Sequence, residues 1–408
     1  MKRLVLVALL VAAPLLAQDT TAGRGRGGGR AGAGRGGGRP VVITDTARAR
    51  ALFVSKDPKD LPGCGPNNCE ANTQARLKDD STFAARSKAA GIDYKKVTFK
   101  SRIDGLELYG SLFAPMTKGT EKHAAMVWVH GGVHSHMTPN PYWPFIKEAV
   151  QHGYVIITPE YRGSTGYGQD FYAKIDYGGK EVDDAISSVD YLKTLAFVDM
   201  DRLGIMGWSH GGFITAHTLF RENHPFRAGA AIVPVTNLIF RLSDHGPGYQ
   251  RDYAAEEGIQ GLPFENTCGP KQDHTCWEEY INRSPVFHVE NLKVPMLSHV
   301  ATNDCDVYFR EDQQMIYTLR AMKPELVETK IYINPPVGRA GCGHEFSRRT
   351  NPETLEREDS PEQIDSWNRT WTFFEWNLRP LSVIRKDNKE WQKDPRIFDP
   401  RNTARPPL

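Results

Sequence analysis

Two alternating apolar and polar runs, Val97–Ile103 and Leu106–Phe113, flank the dipeptide Asp104-Gly105. An Asp-Gly step between alternating runs predicts a β-hairpin, because the turn needs residues that tolerate positive φ. The pattern then changes period. Continuous apolar runs at Ala124–Val129, Tyr154–Thr158, Leu203–Met206, Ala228–Val233, Met296–Val300 and Thr329–Ile333 predict buried strands. Between them, Phe145, Ile146, Ala149 and Val150 share one face of a helix over Tyr142–His152. Ala185, Ile186, Val189 and Leu192 do the same over Val182–Ala196, and the chain reads as helical again from Gly212. Strands alternating with helices predict an α/β fold with a mainly parallel sheet covered on both faces. No fixed-period repeat is evident, so a propeller or solenoid is not encoded in this stretch.

Thr44–Tyr94 carries Pro, Gly and polar residues without a clear period and is expected to be an irregular N-terminal extension before a folded domain over 95–380. Residues 381–408 are charged and Pro-rich and are expected to form a surface tail. At the other end, Met1–Arg3 is basic, Leu4–Leu16 is apolar and Ala17 closes a small-residue site. This is the layout of a secretory signal peptide over 1–17, and the apolar run is short for a membrane span. An uncleaved anchor is the competing reading. Residues 18–43 contain Gly23–Pro40, a stretch with ten Gly, five Arg and no acid, which predicts a flexible linker. Arginine–glycine runs also bind RNA, but an exported chain does not meet RNA routinely. The expectation is therefore a secreted or periplasmic protein with no nucleic-acid partner and no membrane in its mature form.

Charge adds little, since 51 basic and 49 acidic residues nearly cancel. The cysteines add more. Six of them, Cys64, Cys69, Cys268, Cys276, Cys305 and Cys342, suit an oxidising compartment. Short separations favour local pairing of the first four, and no C-x-x-C pair suggests a metal.

The candidate chemistry centres on Gly207-Trp208-Ser209-His210-Gly211. With 37 glycines in 408 residues, a lone G-x-S-x-G is weak. Here the serine follows a predicted strand and precedes a predicted helix, which is the setting of a nucleophile on a sharp turn. A serine hydroxyl needs a base, and the base needs an orienting group. In the α/β-hydrolase fold these follow in the order Ser, acid, His. Asp304 and Asp306 lie after the Met296–Val300 strand, and His344 lies in a glycine-flanked loop after the last strand. Cys305 is next to Asp304, and Cys342 is two residues before His344. Contact between Asp304 and His344 would bring these cysteines together, so a Cys305–Cys342 disulfide clamping both loops is predicted.

Several segments together resemble the catalytic domain of the prolyl oligopeptidase family of serine peptidases over about Val97–Leu378. They are Tyr161–Gly168 (YRGSTGYG), Gly178–Asp184 (GGKEVDD), Asp199–Gly212 (DMDRLGIMGWSHGG), Asp304–Val307 (DCDV) and Gly343–Glu345 (GHE). The resemblance implies Ser209 as nucleophile, His344 as base and acid, and Asp304 as orienting carboxylate, with Asp306 the runner-up. It implies the His210 backbone N–H as one oxyanion donor and the His130-Gly131-Gly132 loop as source of the second. Some members place a tyrosine side chain where His130 stands. Tyr280 and Val307 are implied as pocket residues, with core packing the competing reading. The propeller that precedes the domain in typical members has no counterpart in the roughly fifty residues between linker and domain. Cys268–Cys276 resembles an insertion beside the pocket. His130, His134 and His136 also invite a metal reading, but no acidic residue accompanies them, and the triad needs neither metal nor cofactor. The resemblance implies peptide substrates. An esterase acting on small or plant-derived esters, and a catalytically inactive binding protein, are the rival readings; oligomeric state is not encoded legibly.

Overall fold

The computed structural model describes residues 66–244, 275–338 and 341–379. The signal-like segment, the linker, Cys64, Cys268 and the C-terminal tail lie outside them. Eight strands form one sheet in the order β1-β2-β4-β3-β5-β6-β7-β8. The strands are β1 (Ile92–Lys100), β2 (Glu107–Pro115), β3 (His123–Val129), β4 (Val155–Glu160), β5 (Val198–Trp208), β6 (Ala228–Ile232), β7 (Met296–Ala301) and β8 (Val327–Tyr332). β1 and β2 form the antiparallel hairpin, β2 pairs antiparallel with β4, and every later pairing is parallel. The Asp104-Gly105 connection closes the hairpin, with Gly105 at φ 73°.

The parallel strands are apolar on both sides because helices cover both faces. Successive residues of β3 point to opposite faces. Ala125, Val127 and Val129 join one apolar cluster, with Val182, Ile186 and Val189. Ala124, Met126 and Trp128 join the other, with Phe145, Trp208, Trp367 and Phe374. The main helices are α1 (Pro66–Ala89), α2 (Pro139–Gln151), α3 (Lys180–Lys193), α4 (His210–Leu219), α5 (Phe309–Met322) and α6 (Pro361–Leu378). Helix α6 begins at Pro361 behind Ser360, whose hydroxyl accepts the Gln363 N–H, so both its fixed φ and an N-cap favour initiation there.

The extension expected to be irregular is not so in its described part, where α1 runs for 24 residues. Its apolar residues do not form a continuous stripe, which hid the helix from periodicity. Tertiary contacts fix it instead. Phe83 is buried against Phe113 and Trp143. Arg76 donates to the Gly166 carbonyl and lies over the Tyr167 ring.

Candidate active site

Ser209 sits between β5 and α4 with φ 56° and ψ −123°. Positive φ at a non-glycine residue costs on the order of 1–3 kcal/mol and persists only where surroundings enforce it. They do here. The Ser209 N–H donates to Ile232 O at 3.0 Å, and its carbonyl accepts the Phe213 N–H at 2.9 Å. A Cβ on Gly207 would overlap the Gly211 backbone, and one on Gly211 would overlap the Val129 carbonyl. Glycine at both positions therefore lets three backbone segments meet under the serine. Because α4 starts at His210, the N–H groups of its first turn lack helical acceptors and face the same end of the sheet.

The acid–base pair comes from the ends of β7 and β8. Asp304 Oδ2 lies 2.7 Å from His344 Nδ1, and both residues are buried. The other Asp304 oxygen accepts the N–H groups of Asp306 and Val307, each at 2.9 Å. This carboxylate is thus held by backbone on one side and offered to the imidazole on the other. Asp306 turns elsewhere: its carboxylate pairs with Arg241 Nη2 at 2.8 Å, and Arg241 Nη1 donates to its carbonyl at 3.0 Å. Burial alone would lower the His344 pKa, but the charges of Asp304 and Asp306 outweigh it, and the net shift is upward.

The Cys305–Cys342 disulfide predicted from sequence is present, with Cα atoms 5.7 Å apart. It fastens the acid loop to the histidine loop. Gly343 continues the contact by donating its N–H to the Asn303 carbonyl at 3.0 Å. Cys69 is also in a disulfide.

The strand-end loop of β3 requires a correction to the oxyanion reading. The His130 ring is fully buried, with Nε2 3.0 Å from Ser164 Oγ and 3.4 Å from a Glu160 carboxylate oxygen. It stacks on Tyr161 at 4.3 Å. It is a structural histidine, unavailable as a side-chain donor. The Gly131 N–H is also engaged, donating to the Tyr142 hydroxyl at 2.7 Å. Gly132 differs: it is exposed, has φ 79°, and its N–H has no acceptor among the described residues. Its carbonyl accepts the Tyr161 hydroxyl, which orients that peptide. Among the described residues, the N–H groups of His210, which follows Ser209, and of Gly132, in the loop whose Gly131 packs near Ser209, have no acceptor.

The histidines grouped as possible metal ligands go to separate partners. His134 Nδ1 meets Gly163 O at 2.7 Å, and His136 lies between Thr165 Oγ1 and Asp79 Oδ2 at 2.9 and 3.0 Å. The His210 side chain is buried with Nε2 3.1 Å from Glu181 Oε1. Burial pushes His210 well down and Glu181 well up. Tyr280 and Val307 are buried in the apolar cluster that also holds Val235 and Val286. Beneath Asp304 lie two acids that sequence reasoning missed. Glu311 accepts the N–H groups of Thr236 and Asn237 and is pushed to about 7 by burial. Asp312 is pushed well up, again by burial first. Both sit in the first turn of α5, where acids ordinarily face solvent, so nothing in the sequence marked them.

Residues 145–336 match the model of the prolyl oligopeptidase family. The chain is 29% identical over 234 residues to the acylamino-acid-releasing enzyme of Homo sapiens, a match covering 57% of this chain and 30% of that protein. It is 28% identical over 268 residues to an uncharacterised peptidase, YuxL, of Bacillus subtilis, covering 65% and 37%. Among solved structures, Pyrococcus horikoshii acylaminoacyl peptidase superposes with a TM-score of 0.56 at 24% identity, over 73% of this chain and 43% of that one. The matches span well under half the length of these relatives and fall on their hydrolase part. With the eight-stranded sheet and the strand–serine–helix turn in place, residues 145–336 are identified with the serine-peptidase catalytic domain of the prolyl oligopeptidase family.

Proposed function

We propose that this protein hydrolyses peptide bonds through an acyl-enzyme on Ser209. The observation that carries the reading is the 2.7 Å contact between Asp304 and His344 Nδ1, which leaves Nε2 free for the serine. Ser209 Oγ bonds to the substrate carbonyl carbon while its proton passes to His344 Nε2. Asp304 holds the Nδ1–H tautomer and stabilises the imidazolium. The N–H groups of His210 and Gly132 receive the oxyanion. Collapse breaks the C–N bond, the nitrogen keeps the electron pair, and His344 protonates it. Water then repeats the sequence and frees Ser209.

The family resemblance implies that the acyl group enters on the sheet face that carries Val307 and Tyr280, both buried in the cluster beneath it. The acylamino-acid-releasing and acylaminoacyl peptidase relatives favour N-acylated peptides as substrates. The signal-like N terminus and the disulfide support export to an oxidising compartment. Turnover of N-acyl dipeptides and peptidyl amides, measured beside short acyl esters, tests the substrate class. Amide turnover that exceeds background and disappears in Ser209→Ala is expected. Turnover of esters alone would replace the peptidase reading with an esterase, and folded protein without activity on either would favour a binding protein.

A further inference from the structure

Arg348 stands beside the nucleophile and, among the described residues, without a carboxylate of its own. Its Nη1 would lie 3.1 Å from a Cβ placed on Gly131, and that same point is 3.4 Å from Ser209 Cβ. The guanidinium also lies next to the Tyr142 hydroxyl and acts on the charge of His344. Among the described residues it makes no ion pair, whereas its neighbour Arg349 is paired with Glu358 at 2.6 Å. An arginine kept this close to a reacting centre and unneutralised is a ready partner for a planar anion, which it can bind through two parallel N–H groups.

Arg348 also lines a cleft of about 330 Å³ with Asn140, Pro141, Gly338, Glu345 and Thr350. This is the lower end of the volumes that hold small ligands. Two carboxylates also line the cleft: Glu358 is paired with Arg349, and Glu345 is turned against Gly338, where any Cβ would strike it. The cleft lies on the side of the sheet built from Tyr142, Trp208 and Phe346, opposite the cluster that holds Val307 and Tyr280. A substrate crossing the strand ends at Ser209 with its acyl part over Val307 therefore places its leaving group in this cleft. His344, which returns the proton to the leaving nitrogen, precedes Arg348 by one turn, and the Arg348 N–H donates to Glu345 O at 3.0 Å to close that turn.

We propose that Arg348 is a specificity residue that binds the free α-carboxylate of a single released amino acid. The preferred substrates are then short peptides or N-acyl amino acids cut at their last bond, and a longer leaving peptide lacks the anion at the required distance. The proposal rests on the Ser209 reading for the direction of the substrate but not on the bond being an amide.

The test compares kcat/KM for N-acetyl-Phe-Ala and its carboxamide, and for matched acetyl-Phe esters of lactic acid and lactamide. The wild type is expected to favour the free acid in each pair by roughly 10- to 100-fold, the range for removing a charge-assisted hydrogen bond and putting nothing in its place. In Arg348→Gln that ratio falls to near one, mostly through KM, because the carboxylate is remote from the charge developing at the carbonyl. Arg348→Lys retains part of it. Discrimination within the ester pair alone would retain the Arg348 assignment while defeating the peptidase reading. A wild-type ratio at or below one overturns the proposal without any variant. So does a ratio that survives in Arg348→Gln while both rates drop together, which is the signature of a structural role through Tyr142. A preference that follows an acidic acyl group instead would move the anion site to the other face and equally overturn it.

Discussion

Replacing both Cys305 and Cys342 by alanine removes the covalent tie between the acid loop and the histidine loop. The cysteines are 37 residues apart and enclose α5 and β8. In the chain-entropy description, opening a loop of that length frees the unfolded chain by about 4 kcal/mol. Urea unfolding followed by tryptophan fluorescence reads this directly, since Trp208 and Trp367 are buried in the cluster under the site. The double variant is expected to lose about 3–4 kcal/mol of unfolding free energy, and reduced wild type, which also loses the disulfide at Cys69, at least as much. The same change loosens the geometry of Asp304 and His344, so kcat should fall in urea concentrations too low to alter the fluorescence. A loss below about 1 kcal/mol would refute the reasoning, because the loop would then be closed in the unfolded state without the disulfide.

Other consequences follow from individual contacts. Asp304→Asn is expected to lower kcat by roughly 10³- to 10⁴-fold, while Asp306→Asn, which only releases Arg241 and a remote charge, should stay within about tenfold in a steady-state assay. His344 must be neutral to accept a proton and its pKa lies above the ordinary 6.5. Activity should therefore fall as pH drops through that raised value, and the acid limb of kcat/KM should move to lower pH in Asp304→Asn; a limb that stays in place would detach His344 from Asp304. Gly211→Ala drives a Cβ into the Val129 and His130 carbonyls. It should destabilise the protein by more than about 3 kcal/mol in the same urea experiment, the scale of the largest single-site effects.

The sheet was legible because its parallel strands are buried on both faces, which leaves uninterrupted apolar runs such as Ala124–Val129. β5 was read too short, since Asp199, Asp201 and Arg202 interrupt the apolar run in its first half and leave that half partly exposed. Helix α1 was missed because tertiary contacts of Phe83 and Arg76 hold it, and no amphipathic stripe announces them. Asp304 could be preferred over Asp306 only by resemblance, whereas the structure separates them physically through Arg241. His130 misled because its position is chemically suggestive, yet Glu160 at the end of β4 and Ser164 in the turn after it occupy its ring. Gly132 gave no signal beyond being a second glycine; its free N–H emerges only once Tyr142 has claimed that of Gly131. Arg348 looked like one more charge in a polar stretch until the fold laid it against Gly131.

The most direct test of Ser209 as the nucleophile is covalent. A fluorophosphonate probe, followed by peptide mass mapping, should add a single adduct to wild type on the peptide carrying Ser209 and none to Ser209→Ala. Labelling of His344→Ala should be slowed by several orders of magnitude, since the hydroxyl then lacks its base. An adduct on another residue, or equal labelling of Ser209→Ala, would contradict the assignment of the nucleophile and with it the mechanism built on Asp304 and His344.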